Sequence, residues 1–325
     1  MTTSRFTGLI ALGAATLLAS TSTLASTQVV TSLKPIELLV KAIAADDVEI
    51  TTLVQPGASP HNYSMKPSQR RALEAADAIF WVGPEMETFL TRLLGGSEFR
   101  DRTYSLMHGE NVPEVQSDNN HGDHDEHEHH NHHDDHEESG GHDDHHHDHG
   151  SGEDPHIWLD PALAVEMARD IHRVLATLKS ADTHVLDANL ARFERAMAET
   201  ETAINQRLDP ARDIDLFTYH DAFTRFVGHY NMNLEGILTL NPELSPGAGH
   251  IAEVQEKLRN ANQPCLLTEP QFNRQWWRSI TEGLDITFST WDPLATDIET
   301  DQDGYITFQQ SLADAVLKCL PEDAK

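Results

Sequence analysis

Apolar and polar positions along this chain change period repeatedly, and the changes mark out short strands and longer helices. Short apolar or alternating runs predict strands over 29–33, 48–54 and 78–82, and recurrence every three to four residues predicts helices over 36–45, 68–76 and 85–94. The breaks fall at turn-forming residues, Gln55-Pro56-Gly57 after the second strand and Gly83-Pro84 after the third. After a long polar interval, regular pattern resumes at His156-Ile157-Trp158-Leu159. Apolar residues at 163, 167, 168, 171, 174, 175 and 178 then predict a helix over 162–178. Leu186, Leu190, Phe193, Met197, Ile204 and Leu208 form the stripe of a longer helix over 182–208, about 40 Å at ~1.5 Å per residue. One crossover between neighbouring strands needs less. Thereafter the alternation repeats, with strands over 214–219, 234–238, 265–268 and 286–291 and helices over 222–229, 250–261, 275–282 and 305–320.

Strands alternating with helices are the pattern of α/β architecture with mostly parallel sheets. Two such runs separated by one long helix describe a two-lobed binding protein whose long helix joins the lobes. The expected organisation is a signal peptide over 1–25, an N-terminal lobe over 26–181, a linking helix over 182–208 and a C-terminal lobe over 209–325. A polar segment over 118–153 interrupts the first lobe.

That segment changes the picture most. Thirteen of the 21 histidines and 11 of the 53 carboxylates lie between His121 and His149, with no Lys, Arg or large apolar residue among them. Without apolar residues it cannot offset the entropy of ordering, so it reads as a flexible metal-collecting loop that holds several ions weakly. The remaining 42 carboxylates still outnumber the 23 lysines and arginines, and the formal net charge is -30. Nucleic acid and anionic membrane are poor partners for such a chain; cations are good ones.

The first residues read as a secretory signal: Arg5, an apolar stretch over 8–19, and the small-x-small site Thr23-Leu24-Ala25. The apolar stretch is far short of the ~20 residues a membrane span requires. No cysteine directly follows the cleavage site to carry a lipid, so the expectation is a soluble exported protein that does not span the membrane; a periplasmic location and a monomeric state are further expectations. The only two cysteines, Cys265 and Cys319, favour a disulfide in an exported chain. A pair of metal thiolates is the alternative, without CxxC spacing to support it.

Eight histidines lie outside the loop. In open α/β sheets the ligand crevice forms outside the carboxyl ends of the strands. His61 lies in the turn after strand 48–54, His220 directly follows strand 214–219, and His156 stands on a proline-bounded element after the loop. Each alone could be an ordinary surface or core histidine. Together, at equivalent places in two lobes, they make a candidate three-nitrogen site. His172 and His184 fall on helices and read as packed or solvated; His229 and His250 are weaker candidates. Three imidazoles suit zinc, whereas manganese and magnesium prefer more oxygen.

The segments PGASPHNYSMKPSQ (56–69), DPHIWLDP (154–161), TYHDAF (218–223), TEPQF (268–272) and WDPLATDI (291–298) occur in this order. Together they resemble the zinc-binding subunits of bacterial ABC importers, the ZnuA type. The likeness covers essentially the whole mature chain, including an acidic histidine-rich insertion and two late cysteines. It implies two (β/α) lobes bridged by a rigid helix, a cleft zinc site, zinc as transported ligand, and delivery to an inner-membrane ABC permease with its cytoplasmic ATPase. Matched motif by motif, His61, His156 and His220 would be the ligands. Manganese- and iron-binding relatives resemble the chain at the first two histidines but carry a carboxylate where His220 stands. Some zinc members place a Glu directly before the first histidine; here it is Pro60, which leaves Asp292 or water as the fourth ligand.

Other readings are weaker. Glu299, Asp301, Asp303, Gly304 and Ile306 resemble part of a calcium loop, but Gln310 stands where a bidentate Glu is needed. HExxH, Walker and GxSxG motifs are absent from the sequence. The expected activity is binding rather than turnover. An exported zinc hydrolase, with Glu269 or Asp292 as general base, and a bulk metal buffer confined to the loop are the alternatives.

Overall fold

The computed structural model describes residues 26–113, 153–239, 242, 246–272 and 280–321. The predicted signal segment, nearly all of the histidine-rich loop and most of the predicted helix over 275–282 lie outside the described residues.

Four strands, β1 (Thr27–Thr31), β2 (Val48–Thr52), β3 (Ala78–Trp81) and β4 (Thr103–Ser105), form a parallel sheet in the order β2-β1-β3-β4. β5 (Asp215–His220), β6 (Asn233–Thr239), β7 (Cys265–Thr268) and β8 (Thr287–Thr290) form a second parallel sheet in the equivalent order β6-β5-β7-β8. Strand order therefore reverses between the first and third strand of each sheet, which opens a crevice at their carboxyl ends. β3 and β7 are buried along their whole length, as expected of apolar runs covered on both faces.

The helices are α1 (Lys34–Ile43), α2 (Pro67–Ala75), α3 (Thr88–Leu94), α4 (Pro161–Ala176), α5 (Thr183–Leu208), α6 (Thr224–His229), α7 (Ala248–Asn260) and α8 (Gly304–Leu317). α4 begins at a proline, and the Asp160 carboxylate accepts from the Ala162 and Leu163 amides, satisfying two otherwise free helix-end donors. Asp182 caps α5 in the same way through His184 and Val185. α5 buries Leu186, Phe193, Met197, Ile204 and Leu208 on one face, each apolar side chain contributing ~1.5–3 kcal/mol. That face packs against α1, α4 and α8, so the long helix joins elements from both ends of the chain. No helix among the described residues is long and apolar enough to cross a membrane.

α8 returns across the molecule to α1. A side chain at Gly304 would place its Cβ 2.6 Å from the Glu299 carbonyl and 2.9 Å from Leu38, so only glycine permits this approach. Two carboxylates of the calcium-loop lookalike have other partners here: Asp301 accepts from the Asp303 amide, and Asp303 pairs with Arg192 at 2.7 Å. A disulfide joins Cys265, on β7, to Cys319, just after α8, with Cα atoms 5.7 Å apart. Closing a loop of 54 residues contributes on the order of 2–4 kcal/mol to stability.

Three local differences from the pattern reading have physical causes. β4 is three residues long, too short for an apolar period to register. The helix expected over 85–94 starts at Thr88, because the buried Glu87 side chain accepts from the Val82 and Gly83 amides and turns the chain first. β5 runs one residue further than expected, so His220 is the last residue of the strand.

Candidate metal centre

His61, His156 and His220 meet between the two sheets. One ring nitrogen from each falls in a cluster whose atoms all lie within 4.8 Å of one another, the sole such group of metal-ligating side chains among the described residues. Each arrives by a different route. Pro60 opens a short helical turn after β2 that carries His61, with the Ser59 hydroxyl accepting from the His61 amide. His156 precedes a turn over Ile157–Leu159 that feeds α4. His220 ends β5 at the reversal point of the second sheet, where Glu269 follows the end of the neighbouring β7.

Two of the three rings are oriented by carboxylates. His156 Nδ1 lies 2.8 Å from Asp154 Oδ1, and His220 Nδ1 lies 2.7 Å from Glu269 Oε1. A neutral imidazole that donates Nδ1–H to a carboxylate presents a bare lone pair at Nε2. The two Nε2 atoms face each other at 3.4 Å. Two lone pairs at that distance repel unless a cation sits between them. A tetrahedral ion with zinc–nitrogen bonds of ~2.0–2.1 Å spaces its ligands about 3.3–3.4 Å apart. The cavity they line holds about 20 Å³, space for roughly one water-sized occupant. Trp158 and Phe272 complete its wall.

His61 has no carboxylate on its ring among the described residues. It stands 5.7 Å, centroid to centroid, from both other rings. Burial, then the neighbouring His156 and His220 rings, push it down to about 3, so it is neutral throughout the physiological range. Burial also holds His156 below the ordinary histidine value, against the opposite pull of Asp154. Asp154 sits below the usual carboxylate range: burial pushes it up, but the hydrogen bond and charge of His156, and Arg225, prevail.

Asp292 is not in the cluster. Its carboxylate accepts from Gln271 Nε2 at 2.7 Å, the Leu294 amide at 3.0 Å and the Thr296 amide at 2.6 Å, which makes it the pin of a turn. The remaining histidines lie elsewhere. His172 pairs with Asp187, His108 with Glu85, and His250 with the Ile237 carbonyl. Pattern reading missed the orienting roles of Asp154 and Glu269. The placement of Glu269, right after a buried strand at the second reversal point, was the signal that could have found it.

The corresponding point of the first sheet is closed. Glu87 fills it, fully buried beside Ser32 and the Val82 and Gly83 amides at the ends of β1 and β3. Burial pushes its carboxyl up to about 7, against those hydrogen bonds.

Fold and centre together define the class: a two-lobed α/β solute-binding architecture with three clustered imidazoles that could hold a metal ion. Within that class the chain belongs to the ZnuA family, the periplasmic component A of the zinc-uptake complex, whose model matches residues 29–319. It is 36% identical to the high-affinity zinc uptake system protein ZnuA of Yersinia pestis over 311 residues, covering 95% of this chain and 96% of that one. It is 32% identical to the protein of the same name from Haemophilus ducreyi, with 93% and 96% covered. Among solved structures, a crystal structure of ZnuA matches with a TM-score of 0.68 at 21% identity, covering 90% of this chain and 99% of that one. The periplasmic zinc-binding protein TroA of Treponema pallidum matches at 0.65 and 18% identity, with 89% and 98% covered, and shares the fold.

Proposed function

We propose that this protein captures a zinc ion between its lobes in the periplasm and delivers it to an inner-membrane ABC permease for high-affinity zinc uptake. The observation that carries this reading is the pair of Nε2 atoms held face to face at 3.4 Å with both Nδ1 atoms engaged by carboxylates. His61, His156 and His220 are the ligands. Water takes the fourth position, since Pro60 offers no donor and the oxygens of Asp292 already accept from three neighbours. Three imidazoles suit zinc, the metal for which the relatives are named.

Capture and release, not turnover, is the activity. Glu269 Oε1 is committed to His220, which takes it away from the general-base role a hydrolase would require. Residues 26–181 form the first lobe, 182–208 the linking helix and 209–325 the second lobe. The histidine-rich run over 121–149 adds weak, exchangeable sites of its own. Titration of zinc against a chromogenic chelator tests the assignment. His61→Ala, His156→Ala and His220→Ala should each abolish the tight phase of binding, and full affinity in all three variants would overturn it.

A further inference from the structure

By chain order, residues 154–160 belong to the first lobe, yet they are fastened to the second. Among the described residues, the hydrogen bonds and ion pairs that this segment makes beyond itself and α4 go to residues after 219. Trp158 Nε1 donates to the Pro293 carbonyl at 2.7 Å, and the Trp158 carbonyl accepts from Tyr305 Oη at 2.6 Å and Gln309 Nε2 at 3.3 Å. The two ends of the segment are held by one short helix, α6, which begins four residues after His220. At one end Arg225 donates to the Asp154 carbonyl through Nε, at 2.9 Å, and through Nη2. The same guanidinium lies 3.5 Å from Asp154 Oδ2 and 3.3 Å from Glu153 Oε1. At the other end His229 pairs with Asp160 at 3.3 Å and, through its other nitrogen, with Glu201 of α5 at 3.0 Å. Asp160 first, then Glu201, favour the cationic form of His229 and hold it above the ordinary histidine value, although burial pulls the other way.

Arg225 matters most because of what Asp154 does. Oδ1 of that carboxylate orients the His156 ring, while Oδ2 is buried and has no hydrogen-bond partner. A buried carboxylate beside a neutral imidazole needs a compensating charge. Arg225 supplies it, from the opposite lobe, 71 residues along the chain.

We infer that Arg225 is a positioning residue for zinc binding: it holds Asp154 and thereby the ring of His156, and with His229 it binds segment 154–160 to the second lobe. His156 and His220 then move as one unit, and His61 is the ligand that parts from them when the cleft opens. This rests on the zinc reading above.

The test is a set of zinc competition titrations on the full chain carrying Arg225→Met or Arg225→Lys, alone and in His156→Ala and His61→Ala backgrounds. Arg225→Met should weaken zinc ~10- to 100-fold, the range for groups that orient a ligand, and Lys, a point charge lacking the fork, should restore part of it. The loss should vanish in the His156→Ala background and persist in the His61→Ala background. An equal loss in both backgrounds, or no loss in the otherwise native chain, overturns the inference. Nitrogen-15 spectra of the metal-free chain read the same point where the background variants bind too weakly to titrate. Arg225→Met should reduce the Nδ1–H tautomer at His156 and leave His220 unchanged; an unaltered His156 signal overturns the inference. Failure of the zinc reading itself looks different, because the three histidine variants would then keep full affinity.

Discussion

The two sheets share one strand order but use their reversal points in opposite ways. In the second lobe the crevice between β5 and β7 presents His220, and Glu269 holds its ring. In the first lobe the equivalent crevice is plugged by Glu87, whose carboxylate is consumed by two backbone amides. The first sheet therefore contributes its histidine, His61, from a turn beyond the neighbouring β2, with packing rather than a carboxylate to orient it. One lobe carries a ring oriented by a carboxylate, and the other sets His61 against it. A solute that must be gripped and later surrendered is served by such asymmetry: ring orientation is settled in advance on one side, and the entropy of ordering falls on the other.

The largest effect that could break this comparison comes from removing the oriented pair. In a chain lacking residues 121–149, His156→Ala combined with His220→Ala should eliminate measurable competition for zinc, whereas His61→Ala should leave weak residual binding through the two remaining facing nitrogens. Equal residual affinity in the two variants would show that the sides are equivalent. A smaller effect isolates orientation from ligation. Glu269→Gln keeps an acceptor near His220 but removes the charge, and should weaken zinc by ~10- to 100-fold in the same titration. No change would mean that the carboxylate does not prepare the ring.

A separate effect, on stability rather than affinity, is read in the metal-free protein by thermal unfolding as a function of pH. His61 is depressed to about 3 in the folded chain from an ordinary value near 6.5, so between these limits the unfolded chain binds more protons. Its contribution is complete above about 6.5 and is lost as pH falls toward 3. The stability difference between the native sequence and His61→Ala should rise with pH across that window and be flat above it. Glu87 runs the other way. Raised to about 7 from 4.5, it is protonated in the folded chain where the unfolded chain has lost the proton. Its contribution is present below 4.5 and declines as pH rises through 7. A flat difference for His61→Ala between pH 3 and 6.5 would contradict the buried, neutral state of that ring.

Much of this was legible before the structure. The strand and helix periods, the long amphipathic helix and the placing of His61 and His220 near strand ends follow from rules that act locally along the chain. What stayed hidden depends on pairing across distance. Arg225 reads as an unremarkable base on a short helix, because the residues it holds precede it by some 70 positions, beyond α4, α5 and β5. Asp292 was a candidate ligand by position, and its engagement with Gln271, Leu294 and Thr296 shows only in three dimensions. The same holds for Glu87, whose burial no apolar pattern around Pro84-Glu85-Met86 announces.

The central claim is that one zinc ion is bound by three imidazoles in the cleft. X-ray absorption on protein lacking residues 121–149 and loaded with a single equivalent of zinc tests it most directly. The expected shell is three imidazole nitrogens at ~2.0–2.1 Å and one oxygen. A shell with fewer than three imidazoles, or failure of the loopless protein to hold one tight equivalent, would contradict it.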